Sequence, residues 1–315
     1  MEYQHIPVML SEVLSGLEPK PGQNFIDGTL GGAGYTLALA QAVGSNGKVL
    51  AVDLDDLSIE NARSRITAAK LSNIILVQDN FRNLQNIVKE NLAEDFKFDG
   101  IVFDLGLSSA QLDDESRGFS FQGDRPLDMA FNQDGHTAIA TTTIVNRYSL
   151  ERLTQIFREY GEEPKAYLVA KKIIEKRKKN WIRTTGQLLE IIAQVLKPNP
   201  RSRINPATKV FQALRMETNR ELEALKEVLP IAASLLKSGG RLAVVSFHSG
   251  EDKIVKEFFK TESKDCICPP SVPVCICDHK ATLKIITKKP IPASDAESNL
   301  NPRARSAKLR LAQKI

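Results

Sequence analysis

The chain has 315 residues, of which 42% are hydrophobic and 26% charged, and its net charge is +5. This composition is average for a globular protein with an ample core, and length alone allows one large or two ordinary domains. No window approaches the roughly 18 apolar residues that a membrane span needs. Residues 1–10 lack the basic start and long apolar run of a secretory signal, so we expect a cytoplasmic protein.

Four short apolar runs bounded by turn residues predict buried parallel strands: residues 24–27, 48–53, 73–77 and 100–104. Helical patterns at 35–43 and 58–69 separate the first three runs, and a long helix over about 216–236 precedes a last predicted strand at 241–247. Strands that alternate with helices predict a doubly wound, Rossmann-like α/β sheet.

A helical insertion interrupts this pattern. Helical patterns occur at residues 149–160, 163–179 and 185–196, and no convincing strand lies near them. We therefore predict a discontinuous sheet domain, residues 1–109 and 216–315, with a helical substrate-recognition domain inserted at 110–215.

The excess of positive charge is concentrated in one segment, which overlaps the second half of the predicted insertion. Residues 165–220 contain 14 Lys or Arg against three acids, a local net charge of +11, so the rest of the chain carries −6. Its densest run is Lys176, Arg177, Lys178 and Lys179. One such run is usually a solvated helix surface, but the imbalance of the whole segment favours a nucleic acid partner.

A glycine-rich loop follows the first predicted strand at residues 28–34 (GTLGGAG). Ligands of open α/β sheets bind beyond the carboxyl ends of the strands, where glycines let the backbone approach and the next helix offers free N–H groups. The spacing does not fit the G-x-G-x-x-G dinucleotide fingerprint, which disfavours a nicotinamide-dependent dehydrogenase. Asp53 and Asp104 each end a later strand, and a carboxylate at Asp53 can accept both hydroxyls of a ribose. Together these features predict an S-adenosylmethionine site, with Asp55 as a helper or a helix N-cap.

Longer strings are more specific than this loop. They are residues 104–113 (DLGLSSAQLD), 117–121 (RGFSF), 126–129 (PLDM), 160–163 (YGEE), 211–215 (FQALR), 246–249 (SFHS) and 301–306 (NPRARS). Their succession, in order and at matching distances over essentially the whole chain, resembles the ribosomal small-subunit rRNA (cytosine-N4)-methyltransferase family.

The resemblance implies methyl transfer from S-adenosylmethionine to the exocyclic N4 of a cytidine in 16S rRNA near the decoding region, and relatives suggest a homodimer. By motif alignment it places the cofactor contacts at Ala33, Gly34, Tyr35, Asp53, Phe81, Asp104 and Gln111. The family usually has Gly-Gly-His at positions 33–35 and Leu-Glu-Asp at 250–252, where this chain has Ala-Gly-Tyr and Gly-Glu-Asp. A role of that His is therefore not carried over.

Three further residues are candidates for the reaction or for RNA. Asp104 is the candidate polar partner of the cytosine amino group, by position only, and the competing interpretation is that it binds cofactor alone. His248 could contact the target nucleotide or be a structural histidine. Arg117, with Phe119 and Phe121, could hold a splayed-out base, although burial is the favoured interpretation of the Phe pair.

Four cysteines lie together near the C-terminal end: Cys266, Cys268, Cys275 and Cys277. Clustered thiols in a cytosolic chain favour metal over disulfides, and four thiolates suit structural zinc, with free or redox-active thiols as the alternative.

Two other functions compete with rRNA methylation. A methyltransferase that acts on protein or a small molecule would leave the basic segment unexplained. A non-catalytic RNA-binding factor would be expected to lose the loop glycines or Asp53, and this chain retains both.

Overall fold

A computed structural model of the protein describes residues 7–106, 118–119, 123–131, 139–197, 205–269, 271–272 and 274–315. Gln111, Arg117 and Phe121 lie outside these residues. The chain divides into two compact units, residues 1–108 with 223–315, and residues 109–222. The second unit thus ends seven residues beyond the predicted limit at 215. Within the described ranges, no helix has the length and apolar character that crossing a membrane requires.

The strands among the described residues all belong to the first unit. They are β1 (Asn24–Asp27), β2 (Lys48–Asp53), β3 (Ile74–Gln78), β4 (Phe98–Asp104), β5 (Leu236–Ser246), β6 (Leu283–Ile285), β7 (Ile291–Pro292) and β8 (Lys308–Lys314). The strand order is β3-β2-β1-β4-β5-β8-β6, with β7 also paired to β8. Strands β1 to β5 are parallel, and β8 runs antiparallel to its neighbours. The predicted doubly wound α/β sheet is confirmed.

The helices follow the chain as α1 (Leu10–Leu17), α2 (Gly34–Val43), α3 (Asp56–Ala68), α4 (Leu84–Asn91), α5 (Thr141–Arg147), α6 (Leu150–Glu159), α7 (Ala166–Arg177), α8 (Thr185–Ala193), α9 (Thr208–Asn219), α10 (Glu221–Leu235), α11 (Ser249–Glu262) and α12 (Asp295–Leu300). The long helix predicted over about 216–236 corresponds to α10, which begins five residues later than predicted. Arg220 adopts a left-handed conformation (φ 51°) that ends α9, and α10 starts anew at Glu221.

Helices cover both faces of the sheet, because neighbouring residues of a strand point to opposite sides. In β4, Ile101 and Phe103 pack with buried residues of α4, α10 and α11. Val102, between them, joins buried residues of α1 and α2 on the other face. Strands buried on both sides need apolar residues at consecutive positions, as the sequence of β4 has.

The second unit has a helical core. Leu153 and Phe157 of α6, Val169 and Ile173 of α7, and Leu188 of α8 are buried. The buried carboxylate of Glu217 is paired with Arg152 at 2.7 Å. The Arg152 side chain is 40% exposed whereas Glu217 is buried, so the pair joins α9 to α6 and the loss of Arg152 would leave an uncompensated buried carboxylate.

Candidate active site

Three carboxylates end adjacent parallel strands at one edge of the sheet. Asp27, Asp53 and Asp104 are the last residues of β1, β2 and β4, and β1 pairs with both of the other strands. The chain order reverses between β1 and β4, and open α/β sheets bind their ligands at such a switch point.

The glycine loop is fixed to β2 by hydrogen bonds from its backbone. The N–H of Leu30 donates to the carbonyl of Val52 at 2.9 Å, and the N–H of Gly31 donates to Asp53 Oδ2 at 2.8 Å. Gly31 (φ 46°) and Ala33 (φ 61°) are left-handed, and this turn directs the chain into α2 at Gly34. The Ala33 side chain has no acceptor and Asp27 accepts the N–H of Thr36, so the N–H groups at the start of α2 that a ligand can take are those of Gly34 and Tyr35.

The Asp53 carboxylate is oriented by two backbone donors. Besides the Gly31 N–H, it accepts the N–H of Asp55 on Oδ1 at 2.9 Å. Burial, the largest influence, raises the pKa of Asp53 to about 6. Each oxygen keeps a second lone pair, so the carboxylate can still accept two ribose hydroxyls. The Asp55 side chain accepts the N–H of Leu57 and caps α3, which is the N-cap interpretation of that residue.

Asp104 has a buried carboxylate oxygen without a partner among the described residues. Its Oδ1 accepts no hydrogen bond from the described part of the chain, while its backbone N–H donates to Thr29 Oγ1 at 2.6 Å. Burial raises the pKa of Asp104 well above its usual range, and the charges of Asp27, Glu251 and Glu297 raise it further. A buried acceptor without a donor fits a site completed by a ligand or a reacting group.

Asp27 belongs to the scaffold of the loop. Its side chain is fully buried and accepts hydrogen bonds from the Thr36 hydroxyl at 2.6 Å and the Thr29 N–H at 3.2 Å. Burial raises its pKa to about 6. Asp27 therefore ties both ends of the loop to β1. Sequence reasoning assigned no role to Thr29 or Thr36, which connect the loop to Asp27 and Asp104.

The aromatic residues of the predicted cofactor site have distinct surroundings. The buried Tyr35 hydroxyl donates to the carbonyl of Val8, so the side chain is already engaged within the protein. Phe81 follows β3 and is half-buried, with its ring edge-on to Phe103 at a centroid distance of 5.7 Å. The structure thus brings Ala33, Gly34, Asp53, Phe81 and Asp104 to one edge of the sheet.

The glycine loop and the buried carboxylates of Asp53 and Asp104 at the carboxyl ends of the strands have the arrangement expected of an S-adenosylmethionine-dependent methyltransferase. The profile of the MraW methylase family matches residues 2–315, and the chain belongs to this family. The predicted family and enzyme class are confirmed.

Two relatives and one solved structure illustrate the similarity. The chain is 44% identical to Ribosomal RNA small subunit methyltransferase H of Heliobacterium mobile, with 100% of each chain covered. It is 46% identical to the protein of the same name from Thermomicrobium roseum, covering 99% of this chain and 94% of that one. A crystal structure of an rRNA methylase from Streptococcus thermophilus aligns over 100% of this chain and 99% of that one, with 11% identity and a TM-score of 0.42. That structural similarity is weak, and the assignment rests on the sequence relatives.

His248 caps a helix. Its Nδ1 accepts the N–H of Glu251 at 3.3 Å, and its Nε2 lies 2.9 Å from Glu251 Oε1. The Glu251 carboxylate in turn accepts the N–H of Phe247 at 2.9 Å. This capping box fixes the start of α11 directly after β5, and the structural interpretation of His248 accounts for its contacts.

Phe119, which the sequence proposed beside Arg117, is buried, with its ring centroid 5.8 Å from that of Phe131.

Two of the four residues in the basic run, Lys178 and Lys179, are exposed, and a third, Arg177, makes a hydrogen bond within the unit. Arg177 donates to the carbonyl of Val145 at 2.8 Å and so joins α7 to α5. Lys178 and Lys179, at the end of α7, are exposed. Sequence reasoning missed Trp181, whose side chain is 48% exposed with the Arg147 guanidinium 5.7 Å from its ring centroid. The position of the single Trp of the chain directly behind a lysine run could have revealed it.

The four cysteines converge outside this site. Their Sγ atoms all lie within 4.8 Å of one another, in the segment between α11 and β6. The predicted cluster is therefore a potential metal site.

Proposed function

We propose that this enzyme transfers a methyl group from S-adenosylmethionine to the exocyclic N4 of a cytidine in 16S rRNA, near the decoding region. The observation that carries the chemistry is the buried Oδ1 of Asp104, which has no hydrogen-bond partner among the described residues and lies at the switch point of the sheet. The choice of substrate is supported by full-length relatives named as small-subunit rRNA methyltransferases at 41–46% identity.

Three groups of the sheet edge would hold the cofactor. Asp53 would accept the ribose hydroxyls, the first N–H groups of α2 would bind the amino-acid end, and Phe81 would lie beside the adenine. When bound, S-adenosylmethionine supplies an electrophilic methyl group. Gln111, which the family motif assigns to the same cofactor, stays a prediction.

Asp104 would activate the acceptor. The N4 lone pair of cytosine is delocalised into the ring, so the amino group is a poor nucleophile until an acceptor hydrogen-bonds its N–H and draws it out of the ring plane. A carboxylate does this well, and one with a raised pKa is also a stronger proton acceptor than an ordinary aspartate. Asp104 would therefore orient the amino group and receive the proton that leaves it.

The second unit would bind the RNA through its basic surface. Lys178 and Lys179 present exposed ammonium groups, and Trp181 presents an exposed ring that a single-stranded base can stack on. Lys176 and Arg177 belong to the same run, with Arg177 also holding the unit together. Arg117 and His248 stay predictions for contacts with the target nucleotide.

Several other assignments accompany this function as proposals. The partner would be 16S rRNA, free or within the small subunit, the location would be cytoplasmic, and the enzyme would be a homodimer. The four-cysteine cluster would bind structural zinc with no part in methyl transfer.

Reversing the exposed charges is expected to weaken RNA binding. In the double variant Lys178→Glu, Lys179→Glu, affinity for a 16S rRNA fragment should fall, and the slope of log K against log salt should decrease by about two, because each lost phosphate contact removes roughly one released counterion. Filter binding over a salt series measures both quantities. Affinity for S-adenosylmethionine should not change.

A matched control reverses two exposed lysines of the first unit, Lys20→Glu and Lys48→Glu, at the opposite end of the strands from the carboxylates. This variant should bind the fragment as the native enzyme does. Equal RNA affinity of the Lys178, Lys179 variant at low salt would contradict the basic-surface assignment, and so would equal losses in both variants.

Nucleoside mass spectrometry tests the function directly. Small-subunit rRNA from cells that lack the protein should lose one N4-methylated cytidine, and the native gene should restore it. The Asp104→Asn gene should not restore it. An unchanged nucleoside profile would leave a methyltransferase of the MraW family with another acceptor.

A further inference from the structure

The segment that joins α11 to β6 contains a compact arrangement of four thiols. The Sγ atoms of Cys266, Cys268, Cys275 and Cys277 lie within 4.8 Å of one another. The separations are 3.8 Å for Cys266 and Cys277, and 3.5 Å for Cys275 and Cys277. A zinc ion with four sulfur ligands at about 2.3 Å places them about 3.8 Å apart at the corners of a tetrahedron. These two separations are close to that spacing, and no pair among the four sulfurs exceeds it by more than about 1 Å.

Backbone N–H groups point at these sulfurs. The N–H of Ile267 donates to Cys277, that of Ile276 to Cys268, and that of Cys268 to Cys266, each at 3.4 Å. The first two of these bonds link the two C-x-C turns, one running in each direction. They hold the two turns next to each other. Hydrogen bonds of this kind orient metal-bound thiolates and offset their negative charge.

The nearby histidine has another partner. His279 Nε2 lies 3.1 Å from the carbonyl oxygen of Thr261, at the end of α11. The candidate ligand set in the described part of the segment is therefore four sulfurs, which favours zinc over harder cations such as Mg²⁺.

The segment has little apolar burial to stabilise it. Ile267, Val274 and Ile276 are 47%, 71% and 77% exposed. Its two ends are nevertheless fastened to regular structure. The N–H of Thr282 donates to the carbonyl of Glu262 at 2.8 Å, and the N–H of Ile315 donates to the carbonyl of Thr282 at 3.0 Å. A segment without a core needs another source of stability, and a metal bound by its side chains is one.

From these observations we infer that the four cysteines bind one Zn²⁺ as a closed tetrathiolate site that folds the segment between α11 and β6. With four protein ligands the ion has no open position for substrate or water, so its role is structural. The site would fasten the end of α11 to β6, which pairs with β8 at the edge of the sheet. This inference does not depend on the proposed substrate or on the role of Asp104.

Metal analysis of the full-length native enzyme tests the site. The protein purified under reducing conditions should contain about one zinc per chain, and cobalt exchanged for zinc should give the absorption of a tetrahedral thiolate complex. The double variant Cys275→Ser, Cys277→Ser should lose the zinc and the cobalt spectrum. His279→Ala should retain both, because that histidine is outside the ligand set.

If the double variant does not fold, the native protein still allows the zinc site to be tested. Native protein stripped of metal by a chelator should take up one equivalent of Zn²⁺ in calorimetry, and the metal should protect all four thiols from a thiol reagent. A native protein without zinc, no uptake by the stripped protein, or thiols that react equally fast with and without zinc would each overturn the inference. Loss of zinc on His279→Ala would overturn the four-sulfur ligand set. S-adenosylmethionine binding, measured on the same samples, reports separately on the methyl-transfer site.

Discussion

Asp53→Ala is expected to remove S-adenosylmethionine binding. The carboxylate would accept both ribose hydroxyls, and a hydrogen bond to a charged group contributes about 1.5–3 kcal/mol. Two such bonds correspond to an affinity loss of at least about 100-fold. The variant also loses the acceptor of the Gly31 N–H, which holds the glycine loop against β2. Both effects act in the same direction, and isothermal titration calorimetry with the cofactor measures their sum.

Asp55→Ala is the matched control, because it removes a carboxylate two residues away that caps α3. It should lower the free energy of unfolding by about 1 kcal/mol, as the loss of an N-cap does, and leave cofactor affinity nearly unchanged. Unchanged affinity in Asp53→Ala would refute the assignment of the ribose site. A similar loss in both variants would show that the effect comes from the local fold.

The central strands could be predicted because they are short apolar runs between turn residues, and parallel strands buried on both faces need that pattern. The antiparallel strand β8 could not. Its sequence, KLRLAQK, is half polar and gives no clear strand pattern by itself. Pairing with β5 buries its apolar residues. Leu309 and Leu311 then enter the core on one face. Arg310, on the other, is buried only because Asp252 of α11 pairs with it at 2.6 Å.

Local signals were insufficient for α1, α4, α5 and α12, which no predicted helical pattern covers, and for the break between α9 and α10. In α4, Leu84, Ile87 and Val88 have helical spacing, but eight residues give too few repeats to distinguish a helix from a loop. The break between α9 and α10 lies at Arg220, in a left-handed conformation that the sequence does not mark with Gly or Asn. Tertiary packing overrides local preference there.

One rule, that ligands bind beyond the carboxyl ends of parallel strands, led to Asp53 and Asp104, and the structure has both as the last residues of parallel strands. Their individual surroundings did not follow. The Tyr35 hydroxyl donates to the Val8 carbonyl, and the Arg177 guanidinium donates to the Val145 carbonyl. Both hydrogen bonds join residues that are distant in the chain. The sequence also did not reveal that Asp104 and Asp27, which end neighbouring strands, differ in their hydrogen bonds. Asp27 has donors, whereas Asp104 Oδ1 has none among the described residues.

Asp104→Asn separates the two possible roles of this residue. The amide has nearly the shape of the carboxylate and keeps one acceptor oxygen, but it cannot take up the amino proton. If Asp104 is the polar partner of the acceptor, kcat should fall at least about 100-fold, the usual lower range for a lost proton acceptor, with cofactor affinity within about threefold of native. Single-turnover methylation at saturating cofactor, combined with calorimetry, measures both. A parallel loss of affinity with an unchanged rate at saturation would make Asp104 a cofactor ligand only.

The pH dependence gives a second criterion. Only the ionised carboxylate accepts a proton, and burial together with the charges of Asp27, Glu251 and Glu297 raises the pKa of Asp104. The native kcat should therefore rise with pH through that raised pKa and level off above it, and Asp104→Asn should lose this rise. Glu251→Gln removes one of the neighbouring charges and keeps an acceptor for the Phe247 N–H, so its profile should shift to lower pH with a similar maximum. A profile that does not respond to Glu251→Gln would assign the titration to another group.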